Sequence, residues 1–137
     1  DERTPSGESL EAMAARIDAV QSLDPIPDAV SITDVDERGH HESWDDMLAC
    51  QADGTYPAAF ARIRVPVAMF HGDFDPHPGP STRNPLARWM PQLEYREFAR
   101  CGHTPWLERR AREGFLQSLR AWLRTSVVQE DVESPQP

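Results

Sequence analysis

Two short stretches hold the side chains best able to move protons. His71, Asp73, Asp75 and His77 alternate in a stretch rich in Gly, Pro and Asp, and His103 follows in Cys101-Gly102-His103. An imidazole can take a proton from a nucleophile, and a carboxylate beside it fixes the ring's tautomer and stabilises its charged form. Alternation at every second residue also suits metal ligation, because an extended chain puts all four side chains on one face. By spacing alone, Asp75-Pro76 is a turn pair and His103 a turn histidine. Asp73 reads as a loop carboxylate bonded to its own backbone. Cys101 stands too close in sequence to His103 to act as its nucleophile and reads as a buried, inert thiol.

Elements of secondary structure must position these groups. Residues 9–23 read as an amphipathic helix, capped by Ser9, with Leu10, Met13, Ala14, Ile17 and Val20 recurring at three- and four-residue steps. Asp24-Pro25-Ile26-Pro27 stops it. A polar connector leads to His41, with a short extended piece at 30–32, and His40-His41 reads as exposed loop. A second helix is expected over 44–53, capped by Ser43 and ended by Gly54, with Cys50 on its apolar side. Residues 57–63 add a short turn.

The texture changes at Val65. Val65-Pro66-Val67-Ala68-Met69-Phe70 is apolar without alternation, as in a strand buried on both faces of a parallel sheet. A helix then runs to about Met90, with Asn84-Pro85 marking its start or a late first turn. Residues 93–99 alternate and read as a second strand, and 101–105 as a turn. The last helix, over 106–125, carries Leu107, Ala111, Phe115, Leu119, Trp122 and Leu123 along one side, with Glu108 in its first turn at the positive end of the helix dipole. From Ser126 a polar, acidic tail is expected to be disordered. Strand, loop, helix, strand, loop, helix is the grammar of an open α/β sheet, where functional groups gather beyond the carboxyl ends of the strands. Both chemically able stretches sit there. Two parallel strands leave two unpaired edges, so further strands are expected elsewhere.

The stretch from Arg64 to Asp75, with His71-Gly72-Asp73-Phe74-Asp75, resembles the penultimate strand and acid loop of the α/β-hydrolase fold. Residues 92–122, with Cys101-Gly102-His103-Thr104-Pro105-Trp106-Leu107-Glu108, resemble that superfamily's last strand, histidine turn and terminal helix. Residues 44–64 are similar to the end of a cap re-entering the core. The resemblance implies an α/β fold of which this is the carboxy-terminal part: 1–61 a helical, lid-like segment, 62–125 the end of the core, and 126–137 the tail. It implies Asp75 as orienting acid and His103 as general base in a cofactor-free Ser-Asp-His triad that hydrolyses an ester, amide or related bond of a small molecule. The family's order of nucleophile, acid, histidine is kept in the last two places. The Gly-x-Ser-x-Gly elbow that should carry the nucleophile is absent, and Thr4-Pro5-Ser6-Gly7-Glu8-Ser9 precedes a helix rather than following a strand.

Other readings remain beside this one. A non-catalytic half-domain or interaction protein would keep the half-fold without its nucleophile. Asp75-Pro76-His77 resembles the Asp-x-His of metallophosphatases, but Pro76 stands where those need a second Asp and Cys101-Gly102-His103 lacks their Asn. No metal or other cofactor is therefore expected. Trp44, Trp89, Trp106 and Trp122 read as packing residues, and Trp106 beside His103 is the candidate substrate-binding side chain.

Composition narrows the partners. The 137 residues suffice for one ordinary domain, and a net charge of −9 with no Lys repels phosphate backbones and anionic lipids. Neither a nucleic-acid nor a membrane partner is expected. No apolar run approaches the roughly 20 residues of a bilayer span, no signal-peptide pattern is visible, and the 2 cysteines make no disulfide framework. A cytoplasmic protein is expected, and Asp1 in place of Met suggests processing or a fragment. The expected partner is then a missing amino-terminal half of the same fold, or a second copy.

Overall fold

A computed structural model describes residues 10–27 and 36–133. Ser9 as a cap, the extended piece at 30–32 and residues 134–137 lie outside them. Helix α1 is Leu10–Gln21, α2 is Glu37–Ala52, and a single tight helical turn follows at Ala58–Arg62. Strand β1 (Val67–Gly72), α3 (Gly79–Ala87), β2 (Leu93–Phe98) and α4 (Arg112–Glu133) complete the order. The architecture is mixed α/β, two parallel strands with flanking helices. No helix among the described residues is long and apolar enough to cross a membrane.

The strands pair in register from Val67 opposite Leu93 to Gly72 opposite Phe98. Opposite residues share a face, so Phe70 and Phe98 look one way and His71, Tyr95 and Glu97 the other. Phe115 of α4 packs edge-on against Phe70 and Phe98, at ring separations of 5.6 and 6.1 Å. With Ser118 on the same helical stripe and Ala111 buried just before the helix, it seats α4 on that face. The opposite face lies under the start of α3. Val67 to Phe70 are only half-buried, where the unbroken apolar run predicts cover on both faces. The reason is the same missing neighbours: among the described residues no third strand joins the sheet.

Four element boundaries differ from expectation. Helix α2 starts seven residues before Trp44, because Asp36 caps it by accepting from the Gly39 N–H at 2.9 Å, and Arg38 pairs with Glu42 one turn on. His40 and His41 are therefore helical, and His40 stacks on Trp44. Helix α3 begins at Gly79, with Pro80 in the first turn where no N–H is needed and Pro85 inside it, not at its start. Helix α4 begins at Arg112 rather than at 106, since Pro105–Ala111 are drawn into turns by Glu108. It continues to Glu133, because no proline interrupts it before Pro135. Of the expected apolar stripe of α1, Ile17 and Val20 are exposed.

Candidate active site

The loops after β1 and β2 are stitched together by backbone. Asp73 N–H donates to the Phe98 carbonyl at 3.0 Å, and Phe74 N–H donates to the Cys101 carbonyl at 2.9 Å. Gly72 makes this approach possible, since a Cβ there would sit 2.1 Å from the Gly102 carbonyl oxygen. The Asp73 carboxylate accepts from the Cys101 N–H at 3.1 Å, so it bonds across the loops rather than to its own turn. It takes no part in the imidazole cluster.

Asp75 is the centre of that cluster. Its side chain is 3% exposed, and its Oδ2 lies 2.7 Å from His103 Nδ1. Oδ1 accepts from the His77 N–H at 2.8 Å and meets His77 Nδ1 at 3.2 Å. His71 Nε2 stands 3.2 Å from Oδ2. Burial works to raise the Asp75 pKa, but the hydrogen bonds from the His77 backbone and from His103, with the charge of His103, outweigh it and hold the carboxyl below its ordinary value. Asp75, His77 and His103 present ligand atoms within 4.8 Å of one another. Of the four alternating side chains, His71, Asp75 and His77 converge and Asp73 does not.

His103 is held by a segment far away in sequence. Its N–H donates to the Gln21 carbonyl at 2.8 Å, where α1 ends. Beyond Gln21 the chain runs antiparallel to the histidine turn, with Ile26 N–H on the Leu107 carbonyl and Arg109 N–H on the Asp24 carbonyl. Gly102 admits it, since a Cβ would meet the Gln21 carbonyl oxygen at 2.1 Å. Glu108 fastens the junction. Its carboxylate, 1% exposed as a residue, accepts from Leu23, Asp24 and Gly102 N–H at 2.8, 2.7 and 3.2 Å. A helix-dipole role does not describe it, because Glu108 precedes α4 and faces inward. Sequence spacing held no signal for this, as the first two partners lie 85 and 84 residues away.

The remaining candidates fall outside the cluster. Trp106 is half-exposed and tilts on Phe115 at 5.8 Å. A hollow between the sheet and α4, lined by Ala68, Phe70, Arg96, Ser118 and Trp122, touches neither Trp106 nor the Asp75–His103 pair. Cys101 is fully buried, and burial first, then the charges of Glu108, Asp73 and Asp75, push its thiol up to about 12. It is no nucleophile at neutral pH. The geometry can orient an imidazole on a buried carboxylate, and it can gather nitrogen and oxygen donors around one point. No family model, curated protein or solved structure matches the chain.

Proposed function

We propose that Asp75 and His103 are the acid and base of a hydrolytic triad in an α/β-hydrolase-type core, with the nucleophile on sequence outside these 137 residues. The 2.7 Å contact between Asp75 Oδ2 and His103 Nδ1 carries the reading. A carboxylate there takes the Nδ1–H and leaves Nε2 as the basic nitrogen on a half-exposed ring. His103 Nε2 then accepts the proton of an attacking hydroxyl, Asp75 stabilises the imidazolium, and the same nitrogen returns the proton to the leaving group. Placement of both residues just past the carboxyl ends of parallel strands supports the reading, as does the depressed Asp75 pKa, which keeps the carboxylate ionised at neutral pH.

The test is to express the chain together with its adjoining coding sequence and assay turnover of an activated ester. Activity that His103→Ala abolishes is expected there, and none from the 137 residues alone. Undiminished turnover in His103→Ala would overturn the assignment.

A further inference from the structure

An orienting acid needs one imidazole, and Asp75 has three. Two of the three are unexplained by the hydrolytic reading. The His77 side chain is 70% exposed, yet its Nδ1 turns back to 3.2 Å from Asp75 Oδ1, and its ring stands 6.2 Å from that of His103. His71 is more telling. Its Nδ1 lies 2.8 Å from the Gly72 carbonyl oxygen, which can only accept, so Nδ1 carries the proton. Its Nε2 faces the Asp75 carboxylate at 3.2 Å on a side chain only 10% exposed. Asp75 Oδ2 thus has imidazole nitrogens on two sides, His103 Nδ1 at 2.7 Å and His71 Nε2 at 3.2 Å.

We propose that Asp75, His77 and His103 bind a late first-row divalent cation of the Zn2+ type. The inference goes beyond the hydrolytic reading and departs from the expectation of no metal. Imidazole nitrogens with one carboxylate oxygen suit Zn2+, Co2+, Ni2+ or Cu2+, whereas Mg2+ and Ca2+ require oxygen-dominated shells. Donor atoms around a tetrahedral zinc stand roughly 3.3 Å apart from its bond lengths, so a set within 4.8 Å closes by modest side-chain rotation. The buried Asp75 is the fixed anchor, and the two exposed rings are the arms that move. Each ring that ligates through Nδ1 carries its proton on Nε2, open to water. A net charge of −9 attracts the cation. Bound metal occupies both Asp75 and His103, so metal binding and general-base action exclude one another.

The site needs no nucleophile and no substrate, so binding is measured on the 137-residue chain itself. Calorimetric titration with ZnCl2, and the visible absorption of added Co2+, are expected to show one saturable site. His77→Ala and His103→Ala should each weaken it at least about tenfold. His77→Gln, which keeps the side chain's reach without its imidazole, should match His77→Ala, and MgCl2 should not saturate the site. The double variant His40→Ala/His41→Ala removes the other two histidines and should bind Zn2+ as before. No saturable binding overturns the proposal. So does unchanged affinity in both His77→Ala and His103→Ala, or loss in the His40/His41 variant. Ester turnover measured with chelator present, and so free of bound metal, decides the hydrolytic reading separately.

Discussion

Asp73 and Asp75 differ by two positions and by everything their carboxylates touch. Asp75 Oδ2 holds His103 at 2.7 Å, whereas Asp73 Oδ1 accepts only from the Cys101 backbone, at 3.1 Å. If the proposed triad is completed by a nucleophile, Asp75→Asn is expected to lower turnover by roughly four orders of magnitude, because the amide no longer fixes the imidazole tautomer. Asp73→Ala should leave turnover within a few-fold and lower stability by about 1 kcal/mol, the worth of one loop hydrogen bond. Steady-state kinetics and urea unfolding of both variants check the pair, and exchanged phenotypes would contradict the assignment. Tyr95 offers a pH-dependent counterpart on the same face of the sheet. Burial, then the hydrogen bond to Glu97 and that residue's charge, raise its phenol from 10.0 to about 12. A raised acid favours folding while it stays protonated, so this contribution is complete below pH 10.0 and is lost as pH rises through about 12. Stability measured across that window should fall less steeply in Tyr95→Phe than in the parent chain.

The junction between the segment after α1 and the histidine turn is where local pattern and tertiary structure part. Both strands and the α3 and α4 helices were legible, because each is written in a local pattern: an apolar run, an alternation, a helical stripe. Asp75 and His103 were legible for the same reason, as loop residues following strands. The start of helix α2 is not legible, since its cap Asp36 lies in a polar stretch that reads equally well as connector. Glu108 was illegible, because a buried carboxylate is defined by donors that chain topology brings to it. Its three backbone partners make a definite expectation. Glu108→Ala removes the acceptor of the part-buried Leu23 and Asp24 N–H groups and of the buried Gly102 N–H, and should cost about 2–3 kcal/mol. Glu108→Gln keeps one acceptor and should cost less. In both variants the Leu23, Asp24 and His103 amides should exchange hydrogen faster, while those of β1 and β2 keep their order relative to one another. Unaltered exchange at Leu23 and Asp24 in Glu108→Ala would show that the junction holds without its clamp.

At the scale of the molecule, the open question is what covers the sheet. Val67, Ala68, Met69 and Phe70 are half-buried in a two-stranded sheet, and Val20, Trp44, Leu48 and Val65 are exposed. Two strands with free edges make a marginal unit in water, and unpaired N–H and C=O groups along an edge are a template for another strand. The protein is therefore expected to associate with itself, or with the remainder of an α/β sheet where that is present. A net charge of −9 opposes self-association at low ionic strength, because like-charged copies repel over a long Debye length. At physiological salt that length shrinks to about 8 Å and the repulsion fades, while apolar and edge-strand contacts persist. The sign of the salt effect thus separates the two forces. Sedimentation of the purified chain should show mass rising with protein concentration, and rising further as salt is added from low to physiological levels. Charge-driven pairing would instead weaken with salt. Introducing a charge on the exposed apolar strand approach, Val65→Glu, or on the half-buried run, Met69→Glu, should return the chain toward monomer, with Met69→Glu also lowering stability because its carboxylate is partly taken from water. A species that stays monomeric at all concentrations and melts in one sharp transition would mean that the chain needs no further strand from a partner.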